Sequence, residues 1–501
     1  MISIGVGALI LAICFSILFV GKSIGLSMIL FVIPFIYFFI YILEKNNKIK
    51  NKKAKFLLVP IILLSSTYFI YNNSFFGLCN LIVIPTLFIF MILSLIGEKM
   101  DLNKDLLIKC FGVIFNPINY IEESTEHFWE VIEEKNRNKI SNNEIKKEKI
   151  KKIVGALLTI LPLIVVILIL LSTADEIFAN MFKTIFDFLN IFLKLFSNMN
   201  MSLAILRIFI IVIVFFYFIG LFYYFCLKYY LEDEKNNEKT IINDNFTIKI
   251  LLIILNIIYL VFCYIQIKSL FFKNTSLNYA QYARQGFFQL MVVSLINIVT
   301  ILIAKRRENK DDYKTNKFIN YMSVIMIGFT FIIVISAGVR MYFYESAYGY
   351  TLLRLLVYCT LFTESILFIP TILYILDKKI NLIKSYFIII IVMYLCMNFA
   401  NFDNIISKRN VDRYLKTGKI DLEYIENKIG TDGIKQIVRL LKEPRSQLNE
   451  KKEVRMHLSY IYDSLNNYEE NMDFRDFNIS KIYAKNILKK LLISSDNLRK
   501  G

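Results

Sequence analysis

The chain is short of the residues that catalysis and cross-linking use most. Only two histidines, His127 and His457, occur in 501 residues. They are far apart in sequence and fall on opposite sides of the membrane in the topology derived below. The seven cysteines (Cys14, Cys79, Cys110, Cys226, Cys263, Cys359 and Cys396) lie in or beside apolar segments, and no CxxC occurs. A zinc site of ordinary spacing and a disulfide framework are therefore not expected. There is no P-loop, GxGxxG or HExxH, and no row of carboxylates of the kind a metal-dependent transferase uses. No metal site and no cofactor is expected. The balance leans away from an enzyme, without excluding one built on Arg, Glu and Tyr. Proline is scarce as well, and five of the seven (Pro34, Pro60, Pro85, Pro162, Pro370) fall inside apolar runs, where they can kink a helix.

What the chain has in abundance is apolar surface. It is 56% hydrophobic, with 44 Phe and 30 Tyr, and its mean hydropathy is +0.53. Repeated near-uncharged runs of roughly 18 or more residues point to a polytopic bundle of membrane helices. Strands of a membrane barrel would be about ten residues long and alternate in polarity, and these runs do neither. The opening "MISIGVGALILAICFSILFV" lacks the basic start and cleavage site of a signal peptide, so it reads as an uncleaved first helix. The expected fold is all-α, with about eleven spans: 2–20, 24–43, 56–72, 75–97, 153–172, 203–225, 247–267, 286–304, 318–338, 355–375 and 385–400.

Loop charge orients these spans. The connections 44–55, 98–152, 227–245, 305–317 and 377–384 carry 29 Lys and Arg, against 8 in the intervening ones. The first set is read as cytoplasmic, which puts the N-terminus inside. The same bias accounts for much of the net charge of +18, so nucleic acid is not an expected partner. An odd span count places the tail from Asn401 outside. Its own 20 basic against 15 acidic residues is a weak objection, because long segments translocate largely regardless of charge.

The organisation expected is a four-helix segment over 1–97, a charged cytoplasmic loop over 98–152, a seven-helix core over 153–400 and a helical tail over 401–501. Within 173–202, Phe178, Phe182, Ile185, Leu189, Phe192 and Phe196 share one helical face, which reads as an amphipathic helix on the outer surface. A shorter candidate inside is "KDLLIKCFGVIF", followed by an acidic helix with the single tryptophan, Trp129. In the tail, Asp421 is a candidate N-cap for "LEYIENKI" and Gly430 its stop. Further helices are expected at "GIKQIVRLLK" and near 448–468 and 479–494.

Charges within or beside spans are costly and so informative. Glu364 falls about halfway along the tenth span, as a neutral carboxyl bonded to a neighbour or as a proton or cation relay. Asn256, Gln266, Gln289 and Asn297 are read as hydrogen-bonding between helices. Arg340 ends the ninth span, Arg354 begins the tenth, and Glu345 lies in the turn between them. A second outer turn, "NYAQYARQGFFQL", holds Arg284 among tyrosines. Three arginines thus collect at the outer surface against the overall charge bias. With Tyr282, Tyr344 and Tyr348 beside them, they form a candidate anion site, in which guanidinium forks hold phosphate or carboxylate. Satisfaction of the arginines by Glu345, helix dipoles and lipid phosphates is the plainer alternative.

The segments "SLNYAQYARQGFFQL", "GVRMYFYESAYGYTLLRL" and "NVDRYLKTGKIDLEYI", with "STADEIFAN" after the fifth span, resemble a family of bacterial polytopic membrane proteins catalogued as domains of unknown function 4153 and 4173. The likeness covers about 170–430. A Tyr-Ala-Arg-x-Gly-Phe turn is matched by Tyr282, Ala283, Arg284, Gly286 and Phe287. A second pattern is matched by Arg340, Tyr344, Gly349, Thr351 and Arg354, with Tyr350 in place of a more usual leucine. The resemblance implies this architecture and a bacterial envelope, and lends no catalytic residue.

The expected protein is thus a multi-pass protein of the bacterial cytoplasmic membrane. It would be a non-enzymatic sensor, scaffold or partner-binding protein whose outer surface engages an anionic lipid, a small anion or an envelope protein. Two other readings stay open. One is a secondary transporter using Glu364; the other is a transferase acting on a lipid-linked substrate at the outer face, with Glu345 as its acid or base.

Overall fold

The computed structural model describes residues 2–97, 112–113, 116–121, 123–128, 201–228, 245–271, 287–306, 313–376, 380–421, 424, 428–443 and 448–499. Among these residues every regular element is helical. The helices are α1 (Ile2–Phe19), α2 (Leu26–Lys45), α3 (Leu58–Ile70, entered through a 3-10 turn), α4 (Ser74–Ile96) and α5 (Met201–Tyr223). They continue as α6 (Asn245–Phe271), α7 (Phe287–Arg306), α8 (Tyr313–Tyr348), α9 (Leu352–Leu376) and α10 (Leu382–Phe399). Four tail helices complete the set: α11 (Phe402–Thr417), α12 (Ile434–Lys442), α13 (Leu448–Glu470) and α14 (Ile479–Arg499). Seven of the described helices are long and apolar enough to cross a membrane, and three more apolar segments, Ser3–Phe19, Ile248–Tyr264 and Leu290–Lys305, are shorter. The expected span at 153–172, the amphipathic helix within 173–202 and Trp129 lie outside the described residues, as does "KDLLIKCFGVIF" apart from Gly112 and Val113.

The chain forms two compact units. One comprises Met1–Tyr68, Ile82–Asn236 and Asp473–Phe477; the other comprises Phe69–Leu81, Asn237–Met472 and Asn478–Gly501. In the first, α1 packs along α5. Gly7 allows the close approach of α2, since a Cβ there would sit 1.7 Å from the Phe38 ring. Phe39 is the hub of an aromatic core, with ring centroids 5.2 Å from Phe88 and 5.3 Å from Phe222. Lipid tails are as apolar as these side chains, so burial drives little here, and shape and dispersion hold the helices together.

In the second unit, α8 lies against both α6 and α7, with Leu252, Ile301, Ile319, Ile333 and Met341 buried between them. Its length departs from expectation. The sequence pattern ends the ninth span near 338, with Arg340 at its end and Glu345 in the turn between Arg340 and Arg354. Instead, one helix of 36 residues runs through to Tyr348. Nothing in 339–348 breaks a helix, and the first residue to do so is Gly349, at φ +85°.

The tail has its own core, in which Val411, Tyr414, Ile437, Leu440, Leu458 and Leu488 are buried. Asp421 accepts from Tyr424 N at 3.0 Å, as a cap would. Within the second unit this tail docks on the ends of spanning helices. Phe402 packs edge-on to Phe76 at 5.2 Å. Tyr71 Oη donates to Phe399 O at 3.1 Å, and Asn478 donates to Tyr71 O at 2.8 Å. The turns 71–73 and 349–351 and the tail therefore share one face of the unit.

Asn80 is buried in α4. It donates to Asn398 of α10 at 2.8 Å and accepts from Tyr394 Oη at 2.6 Å. Asn80→Leu should lower the thermal stability of the detergent-solubilised protein by about 1–2 kcal/mol. A melt of the purified protein measures it, and an unchanged midpoint would show that the trio contributes nothing net.

Candidate functional site

The residues between α8 and α9 are gripped by the tail. Gly349 N donates to Glu345 O at 2.7 Å, which closes the last helical turn. The two peptides flanking the next residue are both held, because Tyr350 N donates to Asn410 Oδ1 and Asn410 Nδ2 donates to Tyr350 O, each at 2.8 Å. Leu352 N, at the start of α9, donates to Tyr424 Oη at 2.7 Å. Arg413 donates to Ser346 O at 3.3 Å and to Ala347 O. A Cβ on Gly349 would come within 2.8 Å of Asn410 Oδ1. Asn410, Arg413 and Tyr424 all belong to "NVDRYLKTGKIDLEYI", and the peptides they hold belong to "ESAYGYTL". Sequence reading quoted both stretches without joining them.

The charges in this region do not pair as expected. Glu345 is 5% exposed and accepts from the phenols of Tyr350 and Tyr358 rather than from an arginine. Burial, together with this carboxylate, pushes the Tyr350 hydroxyl up to about 12. Arg354 lies 4.3 Å from the centroid of the Tyr344 ring and donates to Gly349 O. Tyr348 in turn packs against Tyr344 at 5.1 Å. The Arg413 pKa is lowered by burial and by the neighbouring Arg354 charge. Among the described residues, neither Arg354 nor Arg413 forms an ion pair with a carboxylate. Arg340 sits on α8 four residues before Tyr344, on the same helical face. Arg284 and Tyr282 lie outside the described residues.

Beside this turn is an open cavity of about 550 Å³. Its walls include Asn72, Ser74, Phe75, Thr351, Leu353 and Lys428, with Tyr424 and Asp403 behind them. Asp403 is 5% exposed. Its carboxylate accepts from Asn73 Nδ2 at 3.0 Å and from Gly430 N at 3.2 Å, while Asp432 accepts from Asn72 N at 2.8 Å. Two carboxylates thus tie the 71–73 turn to the tail. Burial, and then the Asp432 charge, raises the Asp403 pKa to about 6. Burial raises Asp432 as well. Neither aspartate stands out in sequence, since each is a single acid in a mixed-charge stretch.

Glu364 is elsewhere, in the middle of α9 and 1% exposed. Its Oε2 lies 2.5 Å from Ser294 Oγ, which is itself 2.7 Å from Met291 O. A serine has one hydroxyl hydrogen. Spent on Met291, it leaves the carboxyl contact to be made by a hydrogen on Glu364. The other oxygen, Oε1, has no hydrogen-bond partner among the described residues. Nearby polar groups do bond between helices. Tyr259 donates to Asn297 at 2.5 Å, Asn297 to Thr330 at 3.0 Å, and Asn256 to Met322 O at 3.1 Å. The side chains of Gln266 and Gln289 lie outside those described.

Apolar helices of membrane-crossing length, a polar tail seated on the ends of α4 and α9, and sparse interior polar groups define a helical membrane protein. Residues 58–440 match the family described as Domain of unknown function (DUF4153), and the chain belongs to that family. The matched region contains the arginine turn, both aspartates and the gripping residues of the tail. No curated protein and no solved structure matches the chain.

An aspartate with a raised folded pKa stabilises the fold fully below its ordinary pKa and loses that contribution as pH rises through the folded value. The turn–tail contact should therefore weaken as pH rises through about 6. Asp432→Asn keeps an acceptor for Asn72 N but removes the like charge, and should reduce this loss. Melting curves between pH 5 and pH 8 test both statements; equal pH dependence in the two proteins would refute the coupling.

Proposed function

We propose that this chain is a multi-pass protein of the bacterial cytoplasmic membrane, N-terminus inside, whose turn-and-tail element faces outward and binds an anionic group. It would act as a sensor or scaffold rather than as an enzyme. The observation that carries this reading is the pairing of Arg354 with Arg413, two adjacent guanidiniums that form no carboxylate ion pair among the described residues, although the Asp421 charge reaches Arg413. Their hydrogen bonds among those residues go to backbone carbonyls. An anion accepted by their remaining N–H groups would relieve the mutual repulsion and add charge-assisted bonds. The family's motif residues Gly349, Thr351 and Arg354 all stand at or beside this point. The orientation rests on the loop-charge bias. Contact of the tail with the 71–73 and 349–351 turns is consistent with it, because loop charge had assigned all three to one side.

A second reading rests on Glu364. Its bare Oε1 and its hydroxyl partner favour a protonated carboxyl within the bundle, as a proton-coupled transporter would need. A structural hydrogen bond to Ser294 uses the same geometry.

Three measurements separate these readings. Single cysteines at Ser346 and at Tyr460, the latter 75% exposed, introduced into a cysteine-free background should both label with a membrane-impermeant thiol reagent in intact cells. Protection until lysis at both would reverse the orientation. Arg354→Gln should weaken anion-dependent thermal stabilisation of the purified protein about tenfold in apparent affinity, the worth of one charge-assisted bond. Glu364→Gln should leave that stabilisation intact. Loss of cellular function in Glu364→Gln but not in Arg354→Gln would favour transport.

A further inference from the structure

Resting on the anion-binding reading above, we infer that the ligand is a phosphate-bearing amphiphile whose headgroup enters the cavity beside the arginine turn while its apolar part lies along α4 and α9. The cavity is rich in unused donors. Lys428 is exposed and has no ion-pair partner among the described residues. Among the described residues, the hydroxyls of Ser74 and Thr351 and the side-chain amide of Asn72 have no hydrogen-bond partner. Tyr424 Oη accepts from Leu352 N, which leaves its own hydrogen to donate. Burial raises the Tyr424 pKa, the Asp403 and Asp421 charges add to the rise, and the Leu352 N–H and the Arg354 charge oppose it, so the arginine turn lies within electrostatic reach of the cavity. Acceptors are scarce by comparison. Asp403, the carboxylate in the wall, already takes hydrogen bonds from Asn73 and Gly430.

The rim sets the shape of the ligand. Phe75 and Leu353 line the cavity, yet are 42% and 66% exposed. Each is the second residue of an apolar helix, and on α4 the exposed face continues through Leu78. Polar donors therefore lie behind a mouth whose edges are the lipid-facing sides of two spans. A free anion would use the donors and leave the rim idle. A sugar or amide headgroup would not call for Lys428 and the field of Arg354. A phosphate attached to an acyl chain uses both, and about 550 Å³ is ample for a headgroup of that kind.

The test uses the full chain, purified in an uncharged detergent, and reads the melting temperature during titration with three probes: dioctanoyl phosphatidylglycerol, inorganic phosphate and dioctanoylglycerol. The phosphatidylglycerol should stabilise saturably, and the other two should have little effect at the same concentration. Lys428→Gln and Leu353→Asn, both at exposed positions that fold does not depend on, should each weaken the phosphatidylglycerol effect at least threefold. Inorganic phosphate acting as strongly as the lipid would leave the anion site standing and overturn the amphiphile. Dioctanoylglycerol acting as strongly would overturn the role of phosphate. Stabilisation by the lipid that both variants retain in full would remove the headgroup from this cavity, and no response to any phosphate-bearing probe would overturn both readings.

Discussion

Asn410 spends both ends of its amide on the backbone of one residue, Tyr350, and this face of the second unit depends on that bond pair. A three-residue link between two long helices has few ways to satisfy its own backbone groups. Here the amide supplies a donor and an acceptor from a helix sixty residues later in sequence. With the link fixed, Arg354 is set against Tyr344, Leu352 N is aimed at Tyr424, and the mouth of the cavity acquires Thr351 and Leu353 as one wall. Asparagine suits the position because no other neutral side chain of that length offers both functions.

Charge is sorted on this face in an unusual way. Two carboxylates, the buried Asp403 and the half-buried Asp432, lie near one another and, among the described residues, receive N–H groups from turns rather than from lysine or arginine. Two guanidiniums, Arg354 and Arg413, are neighbours that donate to carbonyls rather than to carboxylates. Glu345, the acid nearest in sequence to the arginines, is taken by tyrosines. Ordinary ion pairing would have quenched all of these groups and left a surface indifferent to its surroundings. Segregation leaves the acids sensitive to protons and sets the two guanidiniums side by side.

Much of this architecture was legible in the sequence. Long uncharged runs mark α2, α4, α8 and α9 because a bilayer admits little else, and capping residues such as Asp421 mark tail helices by local chemistry. The arginine turn was legible as well, since charges beside apolar runs stand out. What could not be read was partnership. Loop position suggested grouping Arg284, which lies outside the described residues, with Arg340 and Arg354; it gave no sign of Arg413, which meets Arg354 from a tail helix packed through Phe402 and Ile406 on Phe76. Glu345 read as a turn residue because Arg, Glu and Tyr resemble a loop in composition. Nothing local stops a helix before Gly349, so it continues. Asp403 and Asp432 were invisible because burial, not residue type, makes them distinctive.

The 36 residues of α8 amount to roughly 54 Å of unbroken helix, against about 30 Å of hydrocarbon in a bilayer. It contains no proline and packs along its length against α6 and α7. Such an element behaves as a stiff lever with its load arm outside the lipid. Gly349, just past its C-terminal end, is clasped by the tail, and Asn320, near the other end, accepts from the buried Lys305. A tilt of about 5° imposed where the tail holds it displaces the far end by roughly 5 Å, about the pitch of one helical turn. Mechanical continuity between the two faces of the membrane is thus built into a single secondary-structure element, with no chain of side-chain rearrangements required.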